Sequence, residues 1–230
     1  MNTSGAIRTT DQRAGKGYNG LGMEGSIARW YAKNTAKSLG EFKNCAEQIG
    51  EHLARGSCVL EVAPGPGYLA IELAKLGRYR IFALDISKTC VQLARQNARE
   101  AGVEIKFQQG DTAHMPYESD TFDFIVCRAA FKNFSNPVGA LNEMYRTLND
   151  GGRALIIDLR RDAPKKTIDQ YVDTIGLSWW DSFITKWTFE LMLKRRAYLK
   201  DEIMDLVSKT PFEHLAIEET ATGMEIELKK

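Results

Sequence analysis

From about residue 57 to residue 160, short β-rich runs alternate with stretches of helical periodicity, and nothing else constrains the possible fold as tightly. The β-rich runs are Cys58–Ala63, Arg80–Leu84, Ile105–Gln108, Phe122–Cys127 and Arg153–Leu159. Helical patterns occupy Tyr68–Leu76, Ser87–Ala101 and Pro137–Leu148; in the second, Val91, Ala94, Ala98 and Ala101 recur every three or four residues. Ser87 can cap that helix, and Asn136 before Pro137 reads as an N-cap with proline at the first helical position. Strand–helix repetition of this kind requires right-handed crossovers and buries the sheet on both faces, which predicts a doubly wound α/β fold.

The two ends depart from this pattern. Six glycines among residues 1–25 are too many for a helix interior and predict a loop that a ligand could order as a lid. The pattern turns helical from Ile27 to Leu53 and again from Thr167 to Ser208, where Trp179, Trp180, Phe183, Trp187 and Phe189 cluster. Glu213–Glu219 and Met224–Leu228 alternate polar with apolar residues about a turn at Thr222–Gly223, an antiparallel hairpin completing a seven-stranded, mostly parallel sheet. The predicted organisation is a lid and cap over residues 1–55, an α/β core over 56–160, an aromatic-rich helical insertion over 161–210 and a β-hairpin over 211–230.

Val59-Leu60-Glu61-Val62-Ala63-Pro64-Gly65-Pro66-Gly67-Tyr68 runs from a strand through a glycine-bearing turn into a helix. Backbone groups in such a turn can approach a ligand closely because no Cβ intervenes. Asp85 stands at the end of the next strand, 20 residues after Gly65, where a carboxylate can accept from both hydroxyls of a ribose. NAD and S-adenosylmethionine both suit such a crevice. A dinucleotide site calls for Gly-x-Gly-x-x-Gly with a pyrophosphate at the helix N-terminus, whereas here the spacing is Ala63-x-Gly65-x-Gly67 with Glu61 close by.

This pattern resembles the Glu/Asp-x-Gly-x-Gly-x-Gly motif of class I S-adenosylmethionine-dependent methyltransferases, and the resemblance extends through Leu159. Gly110–Tyr117 looks like the family's third motif, Ser119–Val126 resembles its acidic-aromatic entry to the fourth strand, and Leu148–Gly152 resembles its Leu-x-Pro-Gly-Gly turn. The departures are Ala63 for the first glycine, read as a mild change, and Asp150 where proline is common. The resemblance implies a Rossmann-like fold that binds S-adenosyl-L-methionine and releases S-adenosyl-L-homocysteine. The glycine turn with Glu61, Ala63, Gly65 and Gly67 would take the methionine moiety, whose ammonium suits a nearby carboxylate but whose place a pyrophosphate could not fill. Asp85 would meet the ribose and Asp111, Thr112 and Ala113 the adenine, with Ile86 also in the implied cofactor set. Tyr18 and Arg128 complete the implied cofactor set.

The acceptor should lie beyond the carboxyl ends of the strands. Arg128-Ala129-Ala130-Phe131-Lys132-Asn133-Phe134 follows the fourth strand but lacks the histidines that similar small-molecule methyltransferases carry near Lys132 and Asn133. Asn133 can orient an acceptor with Phe131 packed on it, and Lys132 reads as a solvated surface lysine. Asp158 after the fifth strand is a candidate general base or a structural carboxylate paired with an arginine, and Arg160 a candidate anion contact. Tyr31, Trp179 and Trp180 are candidate walls of the acceptor pocket.

The balance of 31 basic against 30 acidic residues, a formal charge of +1, disfavours a nucleic-acid partner. His52, His114 and His214 show no metal-ligand spacing, so no metal is expected, and four widely spaced cysteines read as reduced thiols. No apolar run approaches the roughly 18 residues a membrane span needs, and the polar first fifteen residues lack a secretory pattern, so a cytoplasmic enzyme without a membrane partner is expected. The predicted activity is in-line methyl transfer to a small-molecule acceptor with an O, N, S or C nucleophile. An RNA or protein methyltransferase, and a cofactor-binding module that transfers no methyl, are the alternatives. Oligomeric state and acceptor identity are open at this level.

Overall fold

The computed structural model describes residues 17–19, 22–174 and 195–230. Strands β1 (Cys58–Val62), β2 (Arg80–Asp85), β3 (Lys106–Gln109), β4 (Phe122–Arg128), β5 (Leu148–Leu159), β6 (His214–Glu219) and β7 (Gly223–Lys229) form one sheet in the order β3-β2-β1-β4-β5-β7-β6. The first five run parallel; β7 is antiparallel to β5, and β6 pairs outside it. This is the expected doubly wound sheet with its antiparallel C-terminal hairpin.

The period-two alternation of side chains splits the core across the two faces. On one face Val59, Ile81, Ala83 and Val126 pack against α2 (Leu39–Glu51), α3 (Tyr68–Lys75) and α4 (Lys88–Glu100), through residues such as Ala46, Leu73 and Ala94. On the other, Leu60, Val62, Ile125 and Ile156 pack against α5 (Pro137–Thr147) and the helix Lys200–Val207. The caps form as the sequence implies: Ser87 accepts from the Cys90 amide at 3.0 Å, and Asn136 from the Gly139 amide at 2.9 Å.

Two local features differ from the sequence reading, and a third lies outside the described residues. The helix expected from Ile27 to Leu53 is broken into α1 (Gly25–Thr35) and α2 by a 3-10 turn at Ala36–Ser38. Near that break the Thr35 hydroxyl donates to the Tyr31 carbonyl at 2.8 Å and the Asn34 amide to the Trp30 carbonyl at 3.2 Å, side-chain bonds that compete with helix continuation. The expected turn at Leu148–Gly152 belongs to β5, whose register against β4 jumps between Phe122 and Phe124, with Gly151 in the left-handed region. In the predicted helical insertion, α6 (Lys165–Thr174) and the helix Lys200–Val207 flank a stretch outside the described residues that includes all five aromatics of the cluster. Among the described residues no helix is long and apolar enough to cross a membrane.

The β1 turn carries a constraint that the sequence reading undervalued. Ala63, Gly65 and Gly67 all have positive φ, at 53°, 54° and 81°. A Cβ on Gly67 would stand 2.9 Å from the Ala94 Cβ, so glycine there lets α3 close on α4. Ala63 holds a left-handed conformation with its amide donating to the Leu84 carbonyl at 2.7 Å. Alanine there costs roughly 1–2 kcal/mol, so the substitution is not mild. Ala63→Gly should raise unfolding stability by about 1 kcal/mol, read as a higher urea midpoint at constant slope. An unchanged or lower midpoint would show that the turn is unstrained.

Candidate functional site

The carboxyl ends of β1, β2 and β4 converge on one edge of the sheet. Glu61 on β1 is paired in register with Ala83 and Val126, is 3% exposed, and has one carboxylate oxygen without a hydrogen-bond partner among the described residues. Burial pushes its carboxyl up to about 8, countered in part by the Ala70 amide and the Arg128 charge. At the end of β2, Asp85 accepts from the Gly65 amide at 2.9 Å and the Ser87 amide at 2.8 Å. Burial raises it to about 6 against those two bonds. Two carboxylates thus sit desolvated at one crevice, one of them short of donors, which is where a cation and a pair of hydroxyls would be welcome.

After β3, Asp111 caps the short turn Thr112–His114, one oxygen accepting from the Ala113 amide at 2.9 Å. Thr112 and Ala113 are buried. Gly17 lies against this loop: a Cβ added there would meet the Ile86 Cδ1 at 2.6 Å and an Asp111 carboxylate oxygen at 2.8 Å. Tyr31 on α1 comes from the other side, its ring 3.5 Å from where a Gly65 Cβ would stand. Tyr18 forms an isolated antiparallel bridge with Phe134, and burial raises its hydroxyl pKa. The Asn19 amide donates to the Asn133 carbonyl at 2.7 Å, and the Ser135 amide to the Gly17 carbonyl at 3.2 Å. Glu24 accepts from the amides of Lys88 and Thr89 at the start of α4, at 2.9 and 3.1 Å. The described part of the N-terminal segment therefore touches the Asp111 loop, the turn after β4 and the start of α4.

Several candidates stand differently from the sequence reading. Arg128 extends toward the cap, pairing with Glu41 at 3.0 Å and stacking 4.5 Å over the Phe42 ring. Phe131 is 1% exposed and packs on Phe134 and Tyr198, so its ring belongs to the core and not to an acceptor wall. Lys132, read as a solvated lysine, is buried and pairs with Asp158 at 2.7 Å. Asp158 also accepts from the amides of Lys132 and Leu159, so the carboxylate considered as a base is committed to structure, with a lysine where an arginine was considered. Arg160 pairs with Asp162 and Glu219. Asn133 is buried with its side-chain oxygen 3.5 Å from Arg196. Trp179 and Trp180 lie outside the described residues.

Sequence reasoning missed Arg196 and assigned no partner to Gly17, Glu24 or Lys132. Their partners lie 26 to 177 residues away, and no local spacing marks them.

The glycine turn, Asp85 and the buried Glu61 thus lie together at the carboxyl edge of the sheet, where ligands of open α/β folds commonly bind. Residues 60–156 match the family described as a methyltransferase domain, and over that stretch the chain is similar to class I S-adenosylmethionine-dependent methyltransferases. Over 101 residues it is 37% identical to a demethylmenaquinone methyltransferase of Deinococcus radiodurans, covering 44% of this chain and 42% of that protein. An uncharacterized methyltransferase of Bacillus subtilis, YcgJ, is 34% identical over 61% of this chain and 53% of its own length. The chain thus spans about half the length of these curated relatives. A candidate S-adenosylmethionine-dependent methyltransferase from Methanococcus maripaludis shares the fold with a TM-score of 0.72, at 22% identity over 92% of this chain and 95% of its own.

The Glu61 environment predicts a pH signature. The folded carboxyl keeps its proton up to about 8 while an unfolded glutamate loses it near 4.5, so stability falls as pH rises between those values. Asp85 acts with the same sign only up to about 6. From about pH 6.5 to about pH 9 the wild-type urea midpoint should therefore drop, and Glu61→Gln should flatten the drop. Parallel profiles for the two proteins would mean that Glu61 is ionised throughout.

Proposed function

We propose that this protein transfers the methyl group of S-adenosylmethionine to a small acceptor with an apolar body. The observation that carries the reading is the donor-poor, buried Glu61 carboxylate beside the Gly65 turn and Asp85. The residues present fit the cofactor: Glu61 lacks a cationic hydrogen-bond partner, Gly65 leaves its Cβ position open toward Tyr31, and Asp85 holds two acceptor oxygens at the strand end. When bound, S-adenosylmethionine supplies an electrophilic methyl group on a positively charged sulfur.

In this reading Glu61 takes the methionine ammonium, Asp85 the ribose hydroxyls, and Ile86, Asp111, Thr112 and Ala113 surround the adenine. Ala63, Gly65 and Gly67 shape the turn, and the Tyr18 and Tyr31 rings cover the methionine end, where aromatic faces favour a nearby cation. Arg128 acts on this site at one remove, by fixing the cap through Glu41 and Phe42. Asn133 orients the acceptor. The chain's contribution is alignment and exclusion of water, since a sulfonium methyl needs little activation once a nucleophile is held in line. With Asp158 committed to Lys132, deprotonation of the acceptor falls to water or to the acceptor's own acidity. That suits an electron-rich ring, and the Deinococcus radiodurans relative makes a reduced naphthoquinone the first acceptor to assay.

Two measurements test the reading. Purified protein with S-adenosylmethionine and a short-chain demethylmenaquinol should yield S-adenosylhomocysteine and a methylated quinol; binding without product would favour a cofactor-binding module or another acceptor class. Asp85→Asn should weaken S-adenosylmethionine binding at least tenfold, about 1.4 kcal/mol or more, because two charge-assisted bonds become neutral. Wild-type affinity should also decline as pH falls through about 6, where Asp85 takes up its proton, and the variant should lose that dependence. Unchanged calorimetric affinity in folded Asp85→Asn would place the ribose elsewhere.

A further inference from the structure

A lysine in the turn after β4 and an aspartate at the end of β5, each under a tenth exposed, form an ion pair. Lys132 Nζ donates to Asp158 Oδ1 at 2.7 Å and to the Ala129 carbonyl at 2.6 Å, while the Lys132 amide donates to Asp158 Oδ2 at 2.8 Å. Asp158 thus grips both the side chain and the backbone of one residue, and a second backbone amide, that of Leu159, reaches Oδ1 at 2.7 Å. Burying two charges is costly, and well-packed apolar residues commonly stabilise a fold as well or better, so such a pair needs a reason other than stability.

The reason lies in what the gripped residue carries. Lys132 is the middle residue of the 3-10 turn Phe131–Asn133. The next carbonyls in the chain receive the lid: Asn133 accepts from the Asn19 amide at 2.7 Å, Phe134 accepts from the Asn19 side chain at 3.2 Å, and the Ser135 amide donates to Gly17. Arg196 donates to the Asn19 carbonyl at 3.0 Å from the far side. Gly17 in turn rests on Ile86 and Asp111, and Tyr18 bridges to Phe134. Ala129, whose carbonyl the lysine holds, has a positive φ of 60°, so the bend out of β4 is strained and gains from being tied.

We infer that Lys132 and Asp158 are positioning residues: their pair fixes the 131–133 turn as the dock for residues 17–19, and so sets where the lid and Asn133 stand against the acceptor. Neither touches the reacting atoms. The inference deepens the methyl-transfer reading and rests on it for the meaning of the crevice, while the docking itself is a property of the chain alone.

The test is amide hydrogen exchange on the full chain, without methyl donor or acceptor, so a failed transfer assay leaves it intact. In Lys132→Met, which keeps the side-chain length but removes the charge and its donors, peptides covering residues 17–19 and 131–135 should exchange at least tenfold faster. Those covering β1 and β2 should keep wild-type rates. Lys132→Arg, which restores a cation, should recover most of the protection. If Lys132→Met does not fold, Asp158→Asn, close to the original in shape, is read the same way. Unchanged exchange at 17–19 in a folded variant overturns the inference. Equal acceleration across the sheet, no recovery with arginine, or failure of both single variants to fold also overturns it, because the pair is then a general stabiliser.

Discussion

The 2.9 Å hydrogen bond from the Gly65 amide to the Asp85 carboxylate joins two strand ends that are 20 residues apart in the chain, and the crevice depends on it. It forms only because β1 and β2 lie parallel and in register, with Val62 opposite Leu84, so that the turn leaving one strand meets the residue ending the other. The left-handed backbone at Ala63, Gly65 and Gly67 turns the amide toward the carboxylate. Lose the bond, and the turn loses its anchor while Asp85 loses one of the two amides that offset its burial.

Among the described residues, four buried carboxyl and amino side chains lie along this edge of the sheet, and they divide by how they are satisfied. Lys132 and Asp158 neutralise one another through a 2.7 Å bond. Glu61 and Asp85 have no such partner, and burial drives both toward their neutral forms. Low dielectric strengthens whatever eventually meets them, so the uncompensated half is the half prepared for a ligand, and the compensated half is prepared for alignment. In the proposed reading the division matches the two tasks of a group-transfer site, holding a charged donor and fixing an acceptor in line.

The N-terminal segment connects the halves. Glu24 caps α4 through the amides of Lys88 and Thr89, Gly17 lies on the Asp111 loop, and Asn19 is bound to the turn after β4. Each of these contacts spans 64 residues or more, so no local spacing marks the partners. One short piece of backbone thus joins the Asp111 loop to the turn after β4.

The sheet and the cofactor turn were legible in the sequence because their signals are local. Period-two runs, the Ser87 and Asn136 caps, the glycine spacing and the Asp85 offset each act within a few tens of residues, and backbone sterics convert them directly into geometry. Even there, the strain at Ala63 was visible only once its φ was known. The acceptor side was not legible. Lys132 looks like any surface lysine until β5 brings Asp158 beside it, 26 residues on, and Phe131 looks like a pocket wall until Tyr198 packs on it. Burial and partnership are properties of the assembled layers, so sequence determined the sheet and its glycine turn, while only tertiary packing decided which charges are paired, which are left without partners, and where residues 17–19 come to rest.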